Sequence, residues 1–161
     1  MRSVSRVVLI VIVVLLLIGV IAPLAQTYVA YRELVVEELM IRRIGIDVMA
    51  KEIILELIVR MRNPTSYSIE ADVFYADMYF DEEYLGYIER ASIIIPPGVS
   101  EVSFHAKIEM IKIPRMVLRM ISEGQGRLRL KGYVMVPVKL YGMIRLFSIQ
   151  VPFEVEKELS R

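Results

Sequence analysis

The chain has 161 residues, with 20 Lys and Arg against 19 Asp and Glu, one His and no Cys. That length holds one domain of ordinary size. The near-neutral balance argues against nucleic acid as a partner, and the lack of Cys excludes disulfides, thiol catalysis and thiolate metal sites.

Residues 1–6 carry Arg2 and Arg6. Residues 7–25 are uncharged and almost wholly apolar. As a helix that run spans roughly 28 Å at about 1.5 Å per residue, close to a bilayer core. It is expected to be a transmembrane helix and signal-anchor, with 1–6 a short cytoplasmic end. The positive residues before it and Glu33, Glu37 and Glu38 after it place the N-terminus in the cytoplasm and the domain outside. A cleavable signal peptide is the competing reading, against which stand the length of the run and Pro23 near the end of it. Residues 26–36 read as a brief continuation of the helix or a stalk, with Tyr28 and Tyr31 as interfacial aromatics.

From there the period changes to two, the mark of β-strands. Strands are expected over 38–48, 52–62, 68–80, 84–95, 101–110, 127–138 and 143–156. In the second, Ile53, Leu55, Leu57, Val59 and Met61 share one face, while Ile54 and Ile58 interrupt the polar one. In the third, the apolar parity switches between Val73 and Phe74, which predicts a β-bulge near Val73–Tyr75. Asp81-Glu82-Glu83 is a charged hairpin, and Pro96-Pro97-Gly98 a turn. Ile113, Met116, Val117, Met120 and Ile121 follow helical spacing, with Pro114 in the first turn and Gly124 just past the end, so a short helix is expected over 113–123. Residues 37–157 therefore read as a seven-stranded antiparallel two-sheet sandwich, with 158–161 a tail.

Chemistry-bearing residues are sparse. His105 falls on a solvent-facing strand position with no partner at metal-ligand spacing. The acidic run Asp77, Asp81, Glu82 and Glu83 lacks a calcium-loop pattern, and no G-x-S-x-G occurs. Arg127, Arg129 and Lys131 share one strand face and read as a charged outer surface, with binding of anionic headgroups or surface polymers as the alternative. These residues predict no enzyme, no metal and no cofactor. The unusual feature is an apolar strip on predicted outer faces: Ile54, Ile58, Tyr133 and Met135. The helix that carries Met116 and Met120 is expected to cover it, or else a ligand or partner does.

Asn63 is the sole asparagine. Asn63-Pro64-Thr65 is no glycosylation acceptor, because proline in the middle position excludes it. The order I-D-V (46–48), R-N-P-T-S-Y-S-I (62–69), L-G (85–86), I-P-P-G-V-S (95–100) and L-K-G (130–132) resembles the late embryogenesis abundant type 2 family, whose domain is also called the water-stress and hypersensitive-response (WHy) domain. The resemblance covers residues 37–157. It implies an immunoglobulin- or fibronectin-III-like sandwich with a short helix, a link to desiccation and stress, and, in some members, a single-pass membrane layout like this one. On this reading Asn63, Pro64, Pro96, Pro97 and Gly98 are structural turn residues. The Asn63 amide would satisfy backbone groups where its strand leaves the sheet, a bond whose loss costs about 1–2 kcal/mol.

The expected function is a non-enzymatic, membrane-anchored, extracytoplasmic binding or protective module. Its expected partners are membrane lipids and other membrane or surface proteins, with no nucleic acid. Lipid binding or transfer through an apolar cleft is an alternative, and an accessory subunit of a membrane complex is another. Asn and Gln are scarce (Asn63, Gln26, Gln125, Gln150) while Arg and Glu are common, which predicts a thermophilic, archaeal source.

Overall fold

The computed structural model describes residues 2–113, 123, 125–140 and 144–159. A helix α1 (Arg2–Arg32) precedes strands β1 (Val35–Asp47), β2 (Glu52–Asn63), β3 (Ile69–Phe80), β4 (Glu83–Ile95), β5 (Gly98–Glu109), β6 (Gly126–Leu140) and β7 (Ile144–Leu159). A 3-10 turn, Met110–Lys112, follows β5. The helix expected over 113–123, with Met116 and Met120, lies almost wholly outside the described residues.

The seven strands pair antiparallel in two sheets, ordered β1-β2-β5 and β4-β3-β6-β7. Strict alternation makes this possible. Ile53, Leu55, Leu57, Val59 and Met61 of β2 are buried, as are Val102, Phe104, Ala106 and Ile108 of β5. Each sheet thus has one apolar face, and the two faces meet as a sandwich. Phe74 of β3 is its centre: its ring lies 4.5 Å from Phe104 across the sandwich and 4.9 Å from Phe153 of β7. Burying one such ring contributes about 2–3 kcal/mol.

The expected bulge at Val73–Tyr75 does not form. The buried face of β3 does switch there, but Ala71↔Ile93 and Val73↔Ala91 remain in step. β4 switches with it through Ser92, held at φ 54. Two strands that turn over together need no extra residue. The register shift comes instead after Met78, which pairs with Gly86, while Tyr79 pairs with Tyr84, so that Leu85 is the additional residue. Pro137 has no N–H to give, and the β3–β6 ladder ends at Val73↔Met135, before reaching it.

Two glycines are required by geometry. Gly98 sits at φ 85, in the left-handed region that closes the Pro-Pro-Gly turn. Gly132, of the L-K-G triplet, faces β3 so closely that a Cβ would lie 1.9 Å from the Tyr75 carbonyl oxygen and 2.6 Å from Ala76 Cα. Any side chain there would push the two central strands apart.

The membrane reading needs correction. Of the two readings of residues 26–36, a continued helix is the one that forms: α1 runs unbroken to Arg32, and Leu34 N–H bonds back to the Tyr31 carbonyl at 3.3 Å. Among the described residues no helix is long and apolar enough to cross a membrane. Leu24, inside the expected span, packs against the sandwich core, and Tyr31 and Leu34 are buried in it. The end of the apolar run is thus engaged by protein. The single-pass anchor over 7–25, the cytoplasmic end at 1–6 and the extracytoplasmic placement of the domain lose their basis together. Burial raises the Tyr31 pKa, with the charges of Tyr67 and Glu70 adding to it.

Candidate functional site

The outer face of the four-stranded sheet gathers an unusual set of side chains. In β3 the inward positions are Phe74, Ala76, Met78 and Phe80, so Tyr75, Asp77 and Tyr79 face out. In β6, Leu128, Leu130 and Val134 point in, which leaves Arg129, Lys131, Tyr133 and Met135 outside. Pairing then lines them up in rows. Tyr75 stands beside Tyr133, Asp77 beside Lys131, and Tyr79 beside Arg129. From β4, Tyr87 is opposite Asp77 and Tyr84 opposite Tyr79. From β7, Pro152, Glu154 and Glu156 extend the three rows.

Five of the nine tyrosines therefore share one face. Tyr87, Tyr75 and Tyr133 form a ladder with ring centroids 5.7 and 5.5 Å apart and planes within 25° of each other. Tyr79 and Tyr84 meet edge to face at 5.6 Å, and the Arg129 guanidinium lies 5.3 Å from the Tyr79 ring centre. Such contacts are favourable, so the face is ordered before anything binds. Tyr84 and Tyr87 remain 52% and 59% exposed. They also line a cleft of about 1210 Å³ that opens between the free edges of β4 and β5. Arg90 ties those edges together by donating to the Ser103 carbonyl at 2.9 Å.

The Tyr75 hydroxyl donates to Asp77 Oδ1 at 2.8 Å. This bond holds the phenol protonated and pushes its pKa up to about 12, with lost hydration and the Asp77 charge adding to the shift. Tyr84 is raised too, first by lost hydration and then by the Asp77 charge. The basic strand face at Arg127, Arg129 and Lys131 is largely neutralised from β7. Arg127 meets Glu156 and Glu158, each at 3.5 Å, and Arg129 meets Glu154 at 3.4 Å. Lys131 makes no ion pair among the described residues, although it stands between Asp77 and Glu154.

The two halves of the expected apolar strip lie on opposite sides of the sandwich. Tyr133 and Met135 belong to the tyrosine face. Ile54 and Ile58, both half-buried, lie on the outer face of the three-stranded sheet, between Gly45 and Lys107 and between Met40 and Ser103. Around them runs a charged lattice in which Arg60 bridges Glu38 and Glu101, both at 3.1 Å. His105, exposed, is on that face opposite Glu56. Among the described residues no three His, Cys, Asp or Glu lie close enough together to hold a metal ion. Between the sheets, an apolar void walled by Ile41, Leu55, Phe80 and Leu128 measures about 10 Å³.

Asn63 is fully buried at the end of β2. Its amide nitrogen donates to the carbonyls of Tyr67 at 2.8 Å and of Ile95 at 3.0 Å. Its oxygen accepts from the Thr65 N–H at 3.0 Å and the Thr65 hydroxyl at 2.6 Å. One side chain thus links the loop that leaves the first sheet to the last residue of β4. Pro64, Pro96 and Pro97 are exposed on the two turns beside it, and Gly98 pairs with Asn63.

Fold and surface together define an all-β sandwich with an aromatic outer face. No family model matches the chain, and no curated protein does. Solved structures are similar to it in fold. An Arabidopsis thaliana protein determined in solution is 12% identical, covers 78% of this chain and 79% of its own, and superposes with a TM-score of 0.51. A crystal structure from Archaeoglobus fulgidus is 10% identical over 78% of this chain and 100% of its own, at 0.44. The solution structure of a candidate late embryogenesis abundant protein is 10% identical over 98% and 89%, at 0.41.

Proposed function

We propose that this chain is a non-enzymatic binding module with a protective, stress-related role, and that it works through the outer face of the four-stranded sheet. The observation that carries this is the gathering of five tyrosines from three strands on one solvent-facing surface. Core packing does not need them there. Aromatic anchors on a rigid, pre-ordered surface suit binding without a large entropic cost. The late embryogenesis abundant type 2 resemblance of residues 62–69 and 95–100 supports the stress context, and the fold shared with the Arabidopsis protein is compatible with it.

The lipid-carrier alternative has less support. An acyl chain needs hundreds of cubic ångströms of apolar space; the apolar void between the sheets is about 10 Å³, and the large cleft at the β4 and β5 edges is lined by Glu89, Arg90, His105, Lys107 and Glu109. The accessory-subunit alternative loses the membrane helix through which it was to pack, since no helix among the described residues is long and apolar enough to cross a membrane.

Drying tests the proposal. A labile dehydrogenase is dried and rehydrated with the full chain, with the Y84S/Y87S variant, or with serum albumin. Retained activity is expected with the full chain alone. Equal protection by all three would refute a specific role for this face.

A further inference from the structure

We propose that the tyrosine face binds a neutral carbohydrate chain, laid in the trough between two tyrosine ridges. This rests on the reading above only in that the face binds; it adds the ligand class.

The geometry of the trough comes from the register. Tyr75 and Tyr133, with Tyr87 stacked on Tyr75, form one ridge, and Tyr79 and Tyr84 the other. Tyr75 and Tyr79 are four residues apart on one strand, about 13 Å at roughly 3.3 Å per residue. The floor between them is the row Asp77 and Lys131. A pyranose ring has an apolar C–H side and a rim of hydroxyls. Its C–H groups are attracted to the negative faces of aromatic rings, as the ring quadrupole dictates. Its hydroxyls both donate and accept, so they can satisfy the Lys131 ammonium and the free oxygen of Asp77 together.

The same floor argues against other occupants. The core of a protein interface is depleted of charge, and burying Asp77 and Lys131 under an apolar partner would strand both. A proline-rich helix needs apolar grooves, and rings 5.5 to 5.7 Å apart leave no gap for a proline between them. Polyanions meet four acids in the three rows (Asp77, Glu89, Glu154, Glu156) against Arg129 and Lys131. Phenylalanine is absent from these rows, and tyrosine, with its hydroxyl, takes the aromatic positions. A dry apolar contact would not require that choice.

The chain has no tryptophan, and five of its nine tyrosines lie on this face, so its intrinsic fluorescence reports on the face in large part. The full chain is titrated with cellohexaose, maltohexaose and chitohexaose, and with polygalacturonate and a polyproline peptide as contrasts. A saturable change with at least one neutral hexasaccharide is expected, weakened about tenfold or more in Y84A and in Y87A. Both residues are more than half exposed, so the melting curves of the variants should match that of the parent. No saturable response to any of the three sugars overturns the proposal. So does equal affinity in the variants, or tighter binding of polygalacturonate or the proline peptide. Protection during drying without sugar binding would leave the protective reading standing and remove this ligand class; sugar binding without protection would do the reverse.

Discussion

At the scale of single residues, Asn63 shows how one polar side chain can be worth more than its neighbours. It is fully buried and makes four hydrogen bonds, to Thr65 twice and to the carbonyls of Tyr67 and Ile95. Removing it takes away the partner it gives the Ile95 carbonyl and the Thr65 N–H, while the Tyr67 carbonyl keeps the Thr65 hydroxyl at 2.8 Å. Each buried group left unsatisfied costs about 1–3 kcal/mol, partly relieved by water at the exposed side of the turn. Asn63→Ala is therefore expected to lower stability by about 2–4 kcal/mol, more than the single bond anticipated from the sequence. Urea denaturation measures it, and an unchanged midpoint would show that the turn holds without the amide. Tyr75 offers a second check. Its folded pKa, about 12, lies above the ordinary phenol value, chiefly because it donates to Asp77. A group raised in this way contributes stability that is fully present below the unfolded pKa and is lost as pH rises through the folded one. The fold should thus weaken between about pH 10 and pH 12. In a phenolate absorbance titration, Asp77→Asn should bring one late-titrating tyrosine back toward the ordinary range. If the titration curve does not change, the bond is absent in solution.

At the scale of elements, the strands follow from alternation and the turns from their residues. Phe80 pairs with Glu83, so the hairpin between β3 and β4 has a two-residue loop, Asp81-Glu82. Both sit at positive φ, 45 and 77. That is the mirror-image turn that hairpin twist favours, and its preferred second residue is Gly. Asp81 also fastens the hairpin to β6, since its N–H bonds to the Arg127 carbonyl at 3.0 Å and its carboxylate accepts from the Arg127 N–H at 2.9 Å. Glu82 has only the strain. Glu82→Gly should raise stability by about 1 kcal/mol, visible as a higher melting midpoint. A lower midpoint would mean that the backbone there is not left-handed.

At the scale of the whole molecule, the composition and the charged surface point the same way. Asn63 is the sole asparagine, and charged residues are paired across strands on both outer faces. Networks of this kind gain weight as temperature rises, since charge desolvation becomes less costly. The full chain is expected to melt above about 80 °C by calorimetry, well beyond the usual mesophile range. A midpoint of about 50 °C would place it among ordinary domains and remove the thermophile reading.

Much of the sandwich could be read from local signals, because strand period and turn chemistry act over a few residues. The alternation in residues 52–62 and 101–110 already separates inner from outer positions, and Pro96-Pro97-Gly98 already marks a turn. The apolar run 7–25 has the same kind of signal, yet its docking through Leu24 and Tyr31 was invisible, since it depends on a surface built by residues far along the chain. The bulge failed for a similar reason: whether β3 needs an extra residue is decided by what Ser92 does on the neighbouring strand. The tyrosine face is the clearest case. Of Tyr75, Tyr87 and Tyr133 only Tyr133 stood out as an outward residue, and only the strand order β4-β3-β6-β7 makes the three adjacent. The chain itself sets which side of each strand faces out. Long-range pairing, which no local pattern encodes, sets which of those sides become one surface.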